Sequence, residues 1–253
     1  LSQRDFERVI LPLQKLGANF KVNSRKTLPL RIIGSTFINP IHYSENIGSA
    51  QVKSTVMLAA LHSPGQTIIK AKKSRDHTEN IFKYLGIPIT VKKNKQHDEI
   101  RVKGQKFFKS FRYIIPSDPS SCAFFIVLTL LSKNCELRIK NMNINESRIG
   151  YIKILNKMGA KIKFSNVKIK YGEKLADIFV KSQPVLKKIN CPPSLNSNLI
   201  DEFLIIFLAA AKAKGVSNFK NLGELNKKES PRLKLGSKLL NRLGIKTKLT
   251  KNS

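Results

Sequence analysis

The chain has 253 residues, 41% of them hydrophobic, and carries 47 Lys and Arg against 16 Asp and Glu, a formal charge of +31. That length and apolar share suit one large or two ordinary globular domains and exclude a disordered or low-complexity chain. The longest apolar runs, Cys122 to Leu131 and Phe203 to Ala211, fall short of the roughly 20 residues of a membrane-spanning helix and are predicted as buried core helices. Basic residues are scattered from Arg4 to Lys251, and aromatics do not alternate with them, which favours a solvated basic surface over a nucleic-acid platform. Cys122, Cys135 and Cys191 lack metal-ligand spacing and read as reduced thiols in a cytoplasm. The N-terminus lacks an initiating Met, a basic region and an apolar stretch, and is expected to be a chain cut in mid-domain rather than a signal peptide; the terminal Lys-Asn-Ser is expected to fray.

In chain order, Val9, Ile10, Leu13 and Leu16 recur at helical spacing within Phe6 to Leu16, and the segment closes on Lys15-Leu16-Gly17-Ala18. A more apolar helix, Val52 to Leu61, precedes a strand at Thr67 to Lys70, and a second helix then closes on Tyr84-Leu85-Gly86-Ile87. Ile115-Pro116-Ser117-Asp118-Pro119 breaks the periodicity and sets a predicted boundary between domains 1–115 and 116–253. Beyond it come a helix at Cys122 to Leu131, a strand at Glu136 to Lys140, and a helix through Ile149, Ile152, Leu155 and Met158 that closes on Lys157-Met158-Gly159-Ala160. The strand Ala160 to Phe164 follows. A helix at Glu202 to Ala213, a strand at Val216 to Lys220 and a last helix closing on Arg242-Leu243-Gly244-Ile245 complete the series. Each closing Gly suits a left-handed position after a helix, with a strand to follow. The repeated order helix, strand, helix, strand predicts a few large α/β modules, each of roughly 70 to 85 residues and too long for a solenoid repeat.

Four polar segments stand where helices begin and free N–H groups favour anions. Ser49, Ala50 and Gln51 lie in Gly48-Ser49-Ala50-Gln51-Val52-Lys53-Ser54; a Ser N-cap is the plain alternative. Ser74 and Arg75 open Ser74-Arg75-Asp76-His77-Thr78-Glu79, a phosphate fork or a capped surface turn. Asp201 and Glu202 precede a helix expected to be buried nearly all round, as cap or poised base. Lys228, Glu229 and Arg232 sit in one loop-to-helix entry, an anion clamp or a surface ion-pair cluster. No P-loop, dinucleotide fingerprint, Cys/His metal set or Ser-His-Asp set is visible.

Ser49-Ala50-Gln51-Val52-Lys53-Ser54, Ser74-Arg75-Asp76-His77-Thr78-Glu79, Asp118-Pro119-Ser120-Ser121-Cys122-Ala123-Phe124-Phe125, Asp201-Glu202-Phe203 and Lys228-Glu229-Ser230 resemble successive motifs of the 5-enolpyruvylshikimate-3-phosphate synthase family, in its order. The resemblance runs from Leu1-Ser2-Gln3-Arg4, similar to the family's Arg-containing helix start, to the last helix and strand. It implies an α/β fold: a two-domain inverse α/β barrel of repeated helix-strand-helix-strand units, incomplete in both domains, with the active site in the cleft between them. It further implies transfer of the enolpyruvyl group of phosphoenolpyruvate to the 5-hydroxyl of shikimate 3-phosphate. Ser49, Ala50, Gln51, Ser74, Arg75, Asp201 and Lys228 then match the shikimate 3-phosphate site, and Arg4, Gln51 and Arg232 the phosphoenolpyruvate site. Asp201 matches the group that takes the hydroxyl proton and Glu229 the one that moves the methylene proton. The resemblance implies no metal and no cofactor, and the expectation is a cytoplasmic monomer with no membrane or nucleic-acid partner.

Departures from the family pattern are Asn226 and Lys227 for Arg and Val, Pro231 for Asp, Ser117 for Gly and Asp5 for Pro. The family's N-terminal Lys-Ser-Arg motif, its Gly-containing phosphate loop and its C-terminal Arg and Lys sites have no counterpart here, so the chain by itself is expected not to turn over. The alternatives are a UDP-N-acetylglucosamine enolpyruvyl transferase-like enzyme, whose catalytic-Cys loop is not visible, and a basic nucleic-acid-binding module.

Overall fold

The computed structural model describes residues 4–105, 107–183 and 185–250, so Leu1, Ser2 and Gln3 of the expected helix start and the C-terminal Lys-Asn-Ser lie outside the described residues. The chain divides between Tyr113 and Ile114 into two compact units.

The N-terminal unit begins with α1 (Glu7–Lys15), β1 (Asn19–Lys21) and β2 (Arg31–Ile33), the two strands pairing antiparallel. There follow β3 (His42–Glu45), α2 (Ala50–Ala60), β4 (Gln66–Lys72), α3 (His77–Tyr84), β5 (Ile89–Lys93) and β6 (His97–Lys103). The sheet order is β3-β4-β6-β5, with β3 parallel to β4 and β6 antiparallel to both its neighbours. Alternation fixes the register: Thr67, Ile69 and Ala71 of β4 are buried while Gln66, Lys70 and Lys72 are exposed. Val56, Met57 and Ala60 of α2 join Ile69, Phe82, Ile100 and Val102 in the core on the inner face.

The C-terminal unit repeats this plan. It runs α4 (Pro119–Leu131), β7 (Glu136–Asn143), α5 (Gly150–Lys157), β8 (Ile162–Lys170) and β9 (Glu173–Lys181), and its sheet order β7-β9-β8 is that of β4-β6-β5. Ser117 bridges to Met142 in parallel, where β3 pairs with β4 in the first unit. A last repeat opens with β10 (Asn190–Cys191), α6 (Phe203–Ala211), β11 (Asn218–Phe219) and α7 (Arg232–Arg242), with β10 again parallel to β11.

The repeat is thus helix, strand, helix and a two-stranded hairpin, one strand more than the sequence pattern shows. The four closing glycines all take positive φ: Gly17 at 111°, Gly86 at 69°, Gly159 at 96° and Gly244 at 78°. Without a Cβ they enter this region at little cost and reverse the chain out of the helix. Gly244 is not followed by the expected strand, and Val216 to Lys220 yields only the two residues of β11. Among the described residues no further strand pairs with that edge, and a strand needs its ladder partner to form.

The expectation that Cys122 to Leu131 forms a buried core helix is met on one face of α4 only. Ala123, Ile126, Val127 and Leu130 are buried, but Phe124, Phe125 and Leu128 are exposed on the other side. A uniformly apolar helix gives no periodic signal to mark which face is covered. Glu202 is likewise the N-cap residue of α6 rather than its first helical residue.

All three cysteines are free, Cys122 and Cys191 buried and Cys135 exposed. Burial, aided by the Asp118 charge, pushes the Cys122 thiol up to about 11, and burial also raises Cys191. Iodoacetamide at pH 8 is therefore expected to label Cys135 alone in the folded chain, with the other two labelled only after denaturation. Rapid modification of Cys122 in native buffer, read by peptide mass mapping, would contradict this burial.

Candidate active site

In the N-terminal unit the predicted residues gather at the start of α2 and on the loop ahead of α3. Glu45, 1% exposed, ends β3 and turns its carboxylate back on the next loop. Its Oε1 accepts the N–H groups of Ile47 and Ser49 at 3.0 and 3.1 Å, and its Oε2 accepts that of Gly48 at 2.9 Å. Gly48 at φ 78° makes this tight wrap possible. These three amides are spent on Glu45, so anion binding here falls to the side chains that follow.

Ser49 is the N-cap of α2, and its Oγ accepts the Val52 N–H at 3.4 Å, the plain capping role. That bond uses only the oxygen; the hydroxyl hydrogen is available to a ligand. Gln51, two residues on, accepts from Arg4 Nη2 at 3.2 Å, so the two residues matched to phosphoenolpyruvate in this unit stand together. Lys53, 2% exposed, is ion-paired with Glu79 of α3 and donates to the Arg75 carbonyl at 2.8 Å. The hydroxyls of Ser54 and Thr78 meet at 2.7 Å, so Thr78 bonds across to α2 instead of capping α3. The Ser74 Oγ is buried without a hydrogen-bond partner among the described residues, an orphan polar atom at the loop the sequence singles out.

In the C-terminal unit four predicted residues converge from positions about a turn of chain and a whole strand-loop excursion apart. Arg232, the first residue of α7, reaches Asp201 Oδ1 through Nη1 at 3.0 Å and Glu229 Oε2 through Nη2 at 2.8 Å. Lys228 Nζ lies 3.8 Å from the same Asp201 oxygen. Glu202, the N-cap residue of α6, makes no side-chain cap bond to the helix. The four side chains retain 25 to 38% of their accessible surface, enough for a solute to reach them. Two carboxylates and two cations in one patch can grip an anion and exchange protons with it.

A neighbouring network buttresses the starts of α4 and α6. Asp118 caps α4 by accepting the Ser121 N–H at 2.8 Å and hydroxyl at 2.9 Å, and Arg148 Nη2 donates to Asp118 and to Ser120 at 2.7 Å each. Ser120 in turn donates to Glu202. Burial acts to raise the Asp118 carboxyl, but the Ser121 bonds and the Arg148 guanidinium outweigh it and hold it below the ordinary carboxylate value. A depressed folded pKa adds stability that is complete above the unfolded value, about 3.9, and is lost as pH falls through the folded one. Asp118→Asn is therefore expected to lower the thermal midpoint at pH 7, with the gap to the parent closing as pH drops past about 4. A gap independent of pH in the same melts would show that the charge is not the source.

The departures from the family pattern find local partners. Asp5 Oδ1 accepts the Glu7 N–H at 2.7 Å and so caps the start of α1, and Ser117 Oγ donates to the Lys140 carbonyl at 3.0 Å. Asn226 Oδ1 accepts the Lys234 N–H at 3.3 Å, a contact to α7, where Pro231 brings no side-chain cap. Sequence reasoning missed Glu45 and the roles of Lys53 and Glu79. Lys53 does carry a signal, since it falls on the stripe of Val52, Val56 and Met57, and a Lys on a buried stripe requires a partner.

Among the described residues no helix is long and apolar enough to cross a membrane, and no group of three or more His, Cys, Asp and Glu is placed to hold a metal ion. The fold is shared with the enolpyruvyl transferase NikO of Streptomyces tendae, at a TM-score of 0.62 over 85% of this chain and 51% of that one with 14% identity. It is matched more closely by a solved EPSP synthase of Acinetobacter baumannii, with a TM-score of 0.83 and 34% identity over 100% of this chain and 56% of that one. The architecture is the two-domain inverse α/β barrel of these enzymes, of which the chain covers about half.

The family model of EPSP synthase (3-phosphoshikimate 1-carboxyvinyltransferase) matches residues 1–253, and the chain belongs to that family. It is 43% identical over 250 residues to a 3-phosphoshikimate 1-carboxyvinyltransferase of Ruthia magnifica, covering 98% of this chain and 56% of the relative. It is 38% identical over 246 residues to one of Zymomonas mobilis, covering 97% of this chain and 54% of the relative. The chain thus spans about half the length of the relatives it matches. Neither the nucleotide-sugar alternative nor the nucleic-acid one is favoured by these matches.

Proposed function

We propose that the protein transfers the enolpyruvyl group of phosphoenolpyruvate to the 5-hydroxyl of shikimate 3-phosphate, releasing phosphate. The observation that carries the reading is the convergence of Asp201, Lys228, Glu229 and Arg232, in which one guanidinium is shared by two carboxylates. In this reading Ser49, Ala50, Gln51, Ser74, Arg75, Asp201 and Lys228 hold shikimate 3-phosphate, and Arg4, Gln51 and Arg232 hold phosphoenolpyruvate.

Arg232 is the hinge of the chemistry. Without substrate it neutralises Asp201 and Glu229. When the phosphoenolpyruvate anion takes over the guanidinium, both carboxylates lose its positive charge and their proton affinity rises. Asp201 then accepts the proton of the attacking 5-hydroxyl, and a protonated Glu229 delivers one to the methylene carbon. The C–O bond forms at the cation-like centre, and loss of phosphate from the tetrahedral intermediate, with return of a methyl proton to Glu229, restores the vinyl group. The same reading makes the protein a cytoplasmic monomer with no nucleic-acid ligand.

Phosphate release by the full gene product, measured with each substrate alone and with both together, tests this. Release is expected only with both present. Release from phosphoenolpyruvate without shikimate 3-phosphate, or none with both at saturation, would overturn it.

A further inference from the structure

The two complete repeats act as internal controls for one another. Each carries a Ser-Arg pair just before its second helix: Ser74-Arg75 ahead of α3 at His77, and Ser147-Arg148 ahead of α5 at Gly150. Counted from the helix starts, Lys53 is the fourth residue of α2 and Cys122 the fourth of α4. Glu79 is the third residue of α3 and Ile152 the third of α5. The buried ion pair of the first repeat therefore corresponds to Cys122 and Ile152 in the second, both buried in its apolar core.

The repeat thus folds without a charge pair at these positions, and two buried charges are a costly way to fill space. What differs between the repeats is the task of the Ser-Arg loop. Arg148 is held in place by Asp118 and Ser120, side chains of its own repeat, both from the start of α4. At the corresponding start of α2 stands Ser49, which offers no charge to Arg75. Here the loop backbone is bonded from α2, Lys53 donating to the Arg75 carbonyl and pairing in turn with Glu79.

We infer that Lys53 and Glu79 are positioning residues, which hold the Ser74-Arg75 backbone so that the guanidinium is set for the anionic substrate; the inference rests on the proposed role of Arg75 in binding shikimate 3-phosphate. Their partnership builds a binding loop, where the second repeat builds only a core.

The test is the double variant Lys53→Met, Glu79→Leu, which keeps the volume and removes the charges. Replacing a buried pair by apolar residues of similar size is commonly neutral or stabilising, so the thermal midpoint is expected to hold. Amide hydrogen exchange at residues 74–78 is expected to quicken by about tenfold or more while that at residues 147–151 stays as in the parent. Affinity for shikimate 3-phosphate, by calorimetry on the full gene product, is expected to fall by about tenfold to a hundredfold, in line with the cost of a misplaced binding group. A single Lys53→Met variant leaves Glu79 buried without its cation, and its loss of stability should be restored by the second change.

Unchanged exchange at 74–78 in the double variant overturns the inference whatever the ligand does, as does an affinity equal to the parent's. A fall in the midpoint without faster loop exchange would show the pair to be a stabiliser of the core. If the parent itself binds no shikimate 3-phosphate, the proposed function fails, and the exchange measurement still decides whether the pair holds the loop.

Discussion

Arg232→Ala is expected to lower the turnover of the full gene product by about a hundredfold or more, the usual cost of losing a preorganised donor at a site of developing charge. Arg232 bridges both proposed proton carriers, at 3.0 Å to Asp201 and 2.8 Å to Glu229. Its removal takes the guanidinium from both carboxylates and leaves Lys228 3.8 Å from Asp201. Like charges resist joint ionisation, so one carboxylate should bind its proton more tightly and the acid limb of the pH profile should move to higher pH. Arg232→Lys is expected to recover little, because an ammonium cannot reproduce the two-pronged fork. Asp201→Asn should match the loss in turnover without the shift, since it deletes one charge of the pair and keeps the shape. Steady-state kinetics across pH distinguishes these: a rise in KM with kcat unchanged would mean that Arg232 only binds, and unchanged kinetics would remove it from the site.

How far the fold was legible follows from which residues carry periodic signals. The amphipathic helices ending at Gly17, Gly86 and Gly159 and the strands after Ala60 and Leu131 lie where alternation and the closing Gly put them. The hairpin strand β6 escaped because β5 runs into it through the polar turn Asn94-Lys95-Gln96, whereas β9 follows β8 after the two-residue turn Tyr171-Gly172, both at positive φ, a hairpin signal that went unread. The open face of α4 escaped for a different reason: Phe124, Phe125 and Leu128 are as apolar as the buried side, so sequence reports burial where the structure has exposure. At the site, residue types at helix starts named Ser49, Gln51, Arg75, Asp201 and Arg232. The partners that hold them were hidden by distance along the chain, as Lys53 finds the Arg75 carbonyl and Arg232 finds Asp201, and no local pattern encodes such pairings.

Glu45 should show the largest effect on stability. Its carboxylate satisfies three consecutive-loop amides, of Ile47, Gly48 and Ser49, and so fixes the entry to α2 together with its Ser49 cap. A hydrogen bond to a charged group contributes about 1.5 to 3 kcal/mol, but the loop is partly exposed and water recovers some of that, so Glu45→Ala is expected to cost about 3 kcal/mol rather than the full sum. For a chain of this size that lowers the thermal midpoint by about 6 to 12 °C. Glu45→Gln keeps an oxygen for Ile47 and Ser49 and gives up the acceptor for Gly48, so about half the loss is expected. The order parent, Gln, Ala in thermal melts, with hydrogen exchange quickening first at residues 47–52, is the signature of a carboxylate that organises this loop. Equal midpoints for Gln and Ala would mean that the Glu45 charge, and not its hydrogen-bond geometry, is what the loop requires.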